Sequence, residues 1–234
     1  PAALDLDSAD DTGDSSSDNI TSNTTNLTIS GTAEANASIT LTSSIDGNKG
    51  TTTADGAGSW SLDIVLSAGN THDITAVATD VAGNISASSA ALNITIDTNA
   101  PNAPLALDLA AADDTGISNS DNITSSTTNL TISGTSEANA SIILTSSFDG
   151  AVGTTTADGA GDWSLDVVLS ADKIHAMTAT ATDAAGNTSA SSASLSITID
   201  TNTPGAPVSL DLDASDDTGS SNSDNITSNT TNLT

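Results

Sequence analysis

The chain contains no cysteine and no arginine, and its only basic side chains besides two histidines are Lys49 and Lys173. Without thiols there is no disulfide framework and no thiolate chemistry. Without clustered Lys and Arg there is nothing to grip phosphates, which excludes nucleic acid as a partner. No apolar run approaches the roughly 20 residues of a membrane-spanning helix, so direct membrane insertion is excluded as well. Aromatic residues are scarce too: two tryptophans, one phenylalanine and no tyrosine in 234 residues. Each core must therefore be built from Ile, Leu, Val and Ala, and it will be modest. Against these shortages stand 30 acidic residues and a formal charge of −28. A compact body with so little internal neutralisation repels itself. A small extracellular domain without disulfides needs another brace, and metal is the usual substitute.

What is abundant is repetition. LDLDSADDTGDSSSDNIT begins at Leu4, LDLAAADDTGISNSDNIT at Leu107 and LDLDASDDTGSSNSDNIT at Leu210. The same offset of 103 residues relates Trp60 to Trp163 and Asp80 to Asp183. A unit that long is a domain, since solenoid turns run about 20–50 residues. The chain reads as repeat 1 (1–103), repeat 2 (104–206) and the incomplete start of a third (207–234). It has no signal peptide and opens on Pro1, the counterpart of Pro104 and Pro207, as an excerpt of a longer array would.

Within a repeat the apolar residues alternate. Leu27 and Ile29 do so, as do Ile39 and Leu41; Trp60, Leu62, Ile64 and Leu66; Ile74, Ala76 and Ala78; and Leu92, Ile94 and Ile96. A period of two in segments rich in Thr, Ile and Val marks strands with one buried face. The segments IDGN (45–48), ADGAG (54–58) and VAGN (81–84) supply turn chemistry. No stretch carries a 3.6-residue period. The expected fold is all-β, a tandem pair of immunoglobulin-like sandwiches of about seven strands each. The joints TIDTNAPNAP (95–104) and TIDTNTPGAP (198–207) carry two prolines within four residues, a stiff path. Repeats linked end to end by such joints make a rod.

The candidate chemistry lies in carboxylates. In the first copy of the acidic block the oxygen donors are Asp5, Asp7, Asp10, Asp11, Asp18 and Asn19. In the second they are Asp108, Asp113, Asp114, Asp121 and Asn122, with Ala110 where the first has Asp7. The third begins with Asp211. Calcium takes six to eight oxygens and tolerates irregular geometry, which suits a loop of carboxylates lacking basic partners. The alternative is a solvated loop that only keeps the protein soluble. Two further groups join the set. One is the A-T-D-x-A-G-N segment, Asp80 with Asn84 and Asp183 with Asn187, which also reads as an ordinary Asx turn. The other is Asp97 and Asp200, which end the last strand beside each joint and could share an ion across it. Asp55 and Asp158 are explained by turn chemistry, Trp60 and Trp163 by core packing. His72 and His175, one per repeat and without a nucleophile pattern, are expected at the surface. No catalytic residues emerge.

The acidic block, the ATDxAGN segment and the Ile-Asp-Thr-x-x-Pro joint together resemble the bacterial immunoglobulin-like extender repeats of giant, calcium-dependent RTX-type adhesins. That resemblance covers the whole chain. It implies type I secretion, a cell-surface location at the outer membrane of a Gram-negative bacterium, and Ca2+ as the bound cofactor, in the repeats and at their joints. The ligands it implies are Asp10, Asp11, Asp18, Asp80 and Asp97 with their second-repeat counterparts. The implied partners are neighbouring repeats of the same chain, with a distal ligand-binding domain outside this fragment. The expected function is a structural spacer; the alternative is a carbohydrate- or surface-binding module.

Overall fold

The computed structural model describes residues 1–221 and 223–231. Contacts divide the chain into two compact units, Pro1–Thr201 and Asn202–Thr234. The described residues form no helix, so none is long and apolar enough to cross a membrane.

The first unit holds two sandwiches of the same design. In the first, β1 (Ala2–Leu6), β3 (Leu27–Thr32) and β6 (Ser59–Ile64) form a three-stranded sheet in the order β1-β3-β6. The second sheet has the order β2-β8-β7-β4-β5, from β2 (Ile20–Thr21), β8 (Leu92–Ile96), β7 (Asn70–Thr79), β4 (Ser38–Ser43) and β5 (Gly47–Thr53). Pairing is antiparallel except between β2 and β8. The second sandwich repeats this with β9 (Leu105–Leu109) to β16 (Leu195–Ile199). Each therefore has eight strands, one more than expected, because the two-residue β2 and its copy β10 (Ile123–Thr124) pair along the edges of β8 and β16. They are too short to carry an alternation, so the sequence hides them. They matter because each directly follows an acidic block and fixes its end to the sheet.

The alternating residues are the core. Leu27, Ile29, Ile39, Leu41, Ile74, Ile94 and Ile96 are fully buried, with Trp60 and Leu66 nearly so. Burying an aliphatic side chain of this size contributes about 1.5–3 kcal/mol. Gly31 faces Trp60 across β3 and β6, and a Cβ there would lie 2.5 Å from the indole Cζ2. Gly134 stands in the same relation to Trp163. Glycine is thus the residue that lets the one large ring lie flat on the sheet. Both tryptophans are core plugs, 5% and 4% exposed, and neither offers a stacking surface for a sugar.

The histidines correct the sequence reading. His72 and His175 are completely buried. The Nε2–H of His72 donates to the carbonyl oxygen of Ser67 at 2.9 Å, which leaves Nδ1 to accept from the Ser43 hydroxyl, also at 2.9 Å. The Ser43 oxygen accepts the backbone N–H groups of Ile45 and Asp46, and Asp46 in turn accepts Ser67 N–H and its hydroxyl at 2.9 and 2.8 Å. The Ser67 hydroxyl and amide hold the Asp46 carboxyl below the usual range, and Ser170 does the same for Asp149. A serine, a histidine and an aspartate meet here, but the hydroxyl is sealed in the core and committed to two amides. The group ties the β4–β5 turn to the loop before β7.

In the second unit, Asn202–Thr234, no strand forms among the described residues. Its acidic loop nevertheless folds locally, with the Asp216 and Asp217 N–H groups donating to Asp213 O at 2.8 and 3.0 Å.

Candidate functional site at the acidic loops and the repeat joint

In each sandwich the acidic block is a loop between the first strand and the short second one, and its carboxylates first satisfy the loop's own backbone. Asp7 accepts Ala9 N–H at 2.9 Å through its side chain, while its carbonyl takes the N–H groups of Asp10 and Asp11. Asp10 accepts Thr28 N–H at 2.8 Å, fastening the loop to β3, and its carbonyl receives the Thr21 hydroxyl at 2.7 Å. Asp18 accepts Ile20 N–H at 3.0 Å. Asn19 adopts the left-handed region with φ of 59°, and its carbonyl accepts Thr95 N–H at 2.9 Å. The second copy repeats the contacts made by the Asp10, Asp11, Asp18 and Asn19 counterparts. Asp113 accepts Thr131 N–H at 2.9 Å, Asp121 accepts Ile123 N–H at 3.2 Å, and Asn122 has φ of 58°. With Ala110 in place of Asp7 the side-chain contact is lost, yet the carbonyl contacts to Asp113 and Asp114 remain. The loop path therefore depends on the main chain at that position. Asp5 and Asp108 lie on β1 and β9 with exposed side chains, opposite Ser30 and Ser133.

One carboxylate in each loop differs from the others. Asp11 and Asp114 are 4% exposed and Asp217 is 5% exposed. Their Oδ2 atoms accept a backbone N–H, from Asn19 at 3.1 Å, from Asn122 at 3.0 Å and from Asn225 at 3.1 Å. Their Oδ1 atoms are buried without a hydrogen-bond partner. An unsatisfied buried polar atom costs about 1–3 kcal/mol, more when charged. The same orphaned oxygen recurs three times at one position of the repeat. No cationic side chain is among its hydrogen-bonded neighbours. The side chains of the acidic blocks offer oxygen ligands and neither thiolate nor imidazole, the chemistry of a hard cation such as calcium. Among the described residues no three carboxylate or imidazole side chains gather into a ready-made metal cage. A shell at Asp11 or Asp114 would draw on main-chain carbonyls and water as well, which calcium accepts.

The ATDxAGN segment is a tight turn in both repeats. Asn84 donates N–H to Asp80 Oδ1 at 2.8 Å and side-chain N–H to Asp80 Oδ2 at 2.7 Å. Those donors, the Asn84 amide foremost, hold the Asp80 carboxyl below its ordinary range. Asp183 and Asn187 repeat the arrangement at 2.9 Å each. The expected Asx-turn geometry is present. The second copy, however, is covered. Asp183 is 6% exposed and Ala185 is 1% exposed, whereas Ala82, the counterpart of Ala185, lies in the open.

What covers it is the acidic loop of the first repeat. The Thr12 hydroxyl donates to Ala185 O at 2.9 Å, and the Asn187 side-chain amide donates to Asp97 O at 2.9 Å. Asp97 itself is bound to the loop end, its N–H donating to Thr21 O at 3.0 Å, and its carboxylate accepts Asn99 N–H at 2.9 Å. The structure thus brings the Asp11 loop, Asp97, Asp183 and Asn187 into one joint, where Pro101 and Pro104 are also buried. Asp80 and Asn84 lie apart from it on an open face of the first repeat. Asp200 ends the second sandwich, its N–H donating to Thr124 O at 2.9 Å, and its residue is exposed. Asp211 belongs to the second unit and is exposed. Thr12, Gly13 and Ala185 were absent from the expected set. The signal available was that DDTG recurs whole in all three copies, threonine and glycine included.

The model for the bacterial Ig-like domain matches residues 1–98 and again 101–201. The chain belongs to that family. Among solved structures it is similar to a bacterial ice-binding adhesin of 1.5 MDa studied for host cell surface retention. That match has 26% identity over 79% of this chain and 61% of the other, with a TM-score of 0.42. It is also similar to the BSP domain of a biofilm-associated protein, at 19% identity over 79% of this chain and 29% of that one, TM-score 0.29. A third similarity is to fibronectin(III)-like modules of Clostridium thermocellum CbhA, at 12% identity over 85% and 95% of the two chains, TM-score 0.46. This chain spans under two thirds of the adhesin structure and under a third of the biofilm one. No curated protein matches.

Proposed function

We propose that this chain is an extender segment of a secreted cell-surface adhesin, a spacer whose repeats and joints are stiffened by Ca2+. On this reading the anchoring region of a Gram-negative outer membrane and the distal ligand-binding domain lie elsewhere in the same protein. Family membership and the tandem joint support the spacer role. The observation that carries the ion is the partnerless Oδ1 of Asp11, recurring at Asp114 and Asp217.

A bound divalent cation would supply the positive charge that offsets this buried oxygen. At the first joint Asp11 and Asp18 would hold it from the loop, with main-chain carbonyls and water completing the shell and Asp97 and Asp183 adding negative charge across the joint. In the second repeat Asp114 and Asp121 would take the same roles. The residues contribute in distinct ways. Asp10 and Asn19 set the path of the loop, Thr21 ties it to the sheet edge, and Asp11 presents the unpaired oxygen.

Melting the chain in about 10 mM calcium and again in EGTA tests the proposal. Extracellular calcium modules have dissociation constants near 0.1–1 mM, so each site should add about 1.4–2.7 kcal/mol if only the folded state binds. Sodium chloride at matched ionic strength controls for screening of the −28 charge. A melting temperature that responds equally to sodium and calcium would leave the acidic loops as mere solubilising surface.

A further inference from the structure

The joint contains a contact in which no carboxylate takes part. Gly13 (φ 114°) sits in the acidic loop of the first repeat, and Gly186 (φ 89°) in the ATDxAGN turn of the second. A Cβ added to Gly13 would overlap the carbonyl oxygen of Ala184 and lie 2.8 Å from its carbonyl carbon. A Cβ added to Gly186 would lie 3.2 Å from both the Cα and N of Gly13. The obstructing atoms are all backbone and cannot turn aside. The Thr12 hydroxyl donates to Ala185 O directly beside this pair.

We propose that Gly13 and Gly186 form the steric key that sets how consecutive repeats dock, so that the ATDxAGN turn is a socket reading the Thr-Gly of the preceding acidic loop. This rests on the extender reading and says which surface of each repeat recognises its neighbour. The key is main chain against main chain: a side chain at Gly13 has no room against the Ala184 carbonyl, and one at Gly186 presses on the backbone of Gly13. It is also directional: the loop of one repeat meets the turn of the next, so the contact is heterologous and propagates along an array. Both halves are preformed. The undocked turn of the first repeat has the same Asp–Asn hydrogen bonds as the docked one. Thr115 makes the same contacts to Thr124 and Ser125 that Thr12 makes to Thr21 and Ser22.

The repeat supplies its own controls. Gly116 (φ 129°) is the copy of Gly13, and an added Cβ meets only Ile123 O, at 3.8 Å. Gly83 (φ 91°) is the copy of Gly186, and an added Cβ there meets nothing within 4 Å. Alanine at all four positions brings the same local strain, because L residues avoid positive φ. Only two of them touch the joint.

The chain has no cysteine, so Thr51→Cys on β5 and Thr154→Cys on β13 (Gly150–Thr156), both exposed, give a unique spin-label pair. Distance distributions by double electron–electron resonance in calcium-containing buffer should show one narrow peak for the parent. Gly13→Ala and Gly186→Ala should lose that peak, while Gly116→Ala and Gly83→Ala keep it. Should an alanine variant fail to fold, Thr12→Val with Thr115→Val as control asks the same question without backbone strain. A narrow peak retained by Gly13→Ala, Gly186→Ala and Thr12→Val alike would overturn the key and leave the extender reading standing. A broad distribution in the parent would overturn both.

Discussion

Replacing Asp11 by Asn gives a stability change whose sign depends on calcium. In the folded loop Oδ2 accepts Asn19 N–H at 3.1 Å while Oδ1 is buried and unpaired. The amide oxygen of asparagine keeps the first contact and removes the buried charge. In EGTA the substitution should therefore relieve part of the desolvation cost of about 1–3 kcal/mol attached to an orphaned polar atom, and stability should hold or rise. On the proposed function the same change in about 10 mM calcium removes a charged ligand, so the 1.4–2.7 kcal/mol of linkage expected at that site should be lost. For a domain of this size 1 kcal/mol shifts Tm by about 4–8 °C, so the calcium-dependent rise should shrink by some 6–20 °C. Calorimetry of the parent, Asp11→Asn and Asp114→Asn in both buffers provides the assay. Equal destabilisation with and without calcium would show that Asp11 is only a loop anchor, and the reasoning would fail.

Two further outcomes follow from the sandwiches themselves. The folded-state pKa values of Asp46, Asp80, Asp149, Asp158 and Asp172 are lowered, chiefly by donors from Ser67, Asn84, Ser170, Ala160 and Thr201 in that order. A carboxylate depressed in the folded state adds stability above its unfolded value of about 3.9, and that stability is lost as pH falls through the folded value. Thermal melts in EGTA should therefore decline below about pH 4; a steady rise down to pH 2.5 would mean that relief of self-repulsion outweighs these anchors. Gly31→Ala should cost about 1–3 kcal/mol by urea unfolding, because its Cβ enters the Trp60 ring. An unchanged midpoint would show that the indole can slide away.

The period-two parity did more than place the strands. His72 shares the parity of Ile74, Ala76 and Ala78, and that alone puts it on the buried face of β7. The surface expectation followed residue type, whereas the fold satisfied both ring nitrogens with Ser43 and Ser67. Those partners stand 29 and 5 residues away, and no local pattern announces them. The acidic loops were legible for a similar reason to the strands: copied three times, they fold through contacts mostly within 20 residues, as the loop of the second unit repeats on its own.

The amino-acid order was enough to define the repeat, the strand faces, the turns and the carboxylate-rich loops, because each depends on near neighbours and on alternation. It did not distinguish Asp11 from Asp10 or Asp18, nor the covered Asp183 from the open Asp80. Those differences come from packing. The closed acidic loop isolates one oxygen of Asp11, and the docking of Thr12–Gly13 on Ala184–Gly186 joins atoms 173 residues apart in the chain. Periodicity reports which way a side chain faces, but only the closed fold determines which other surface comes to meet it.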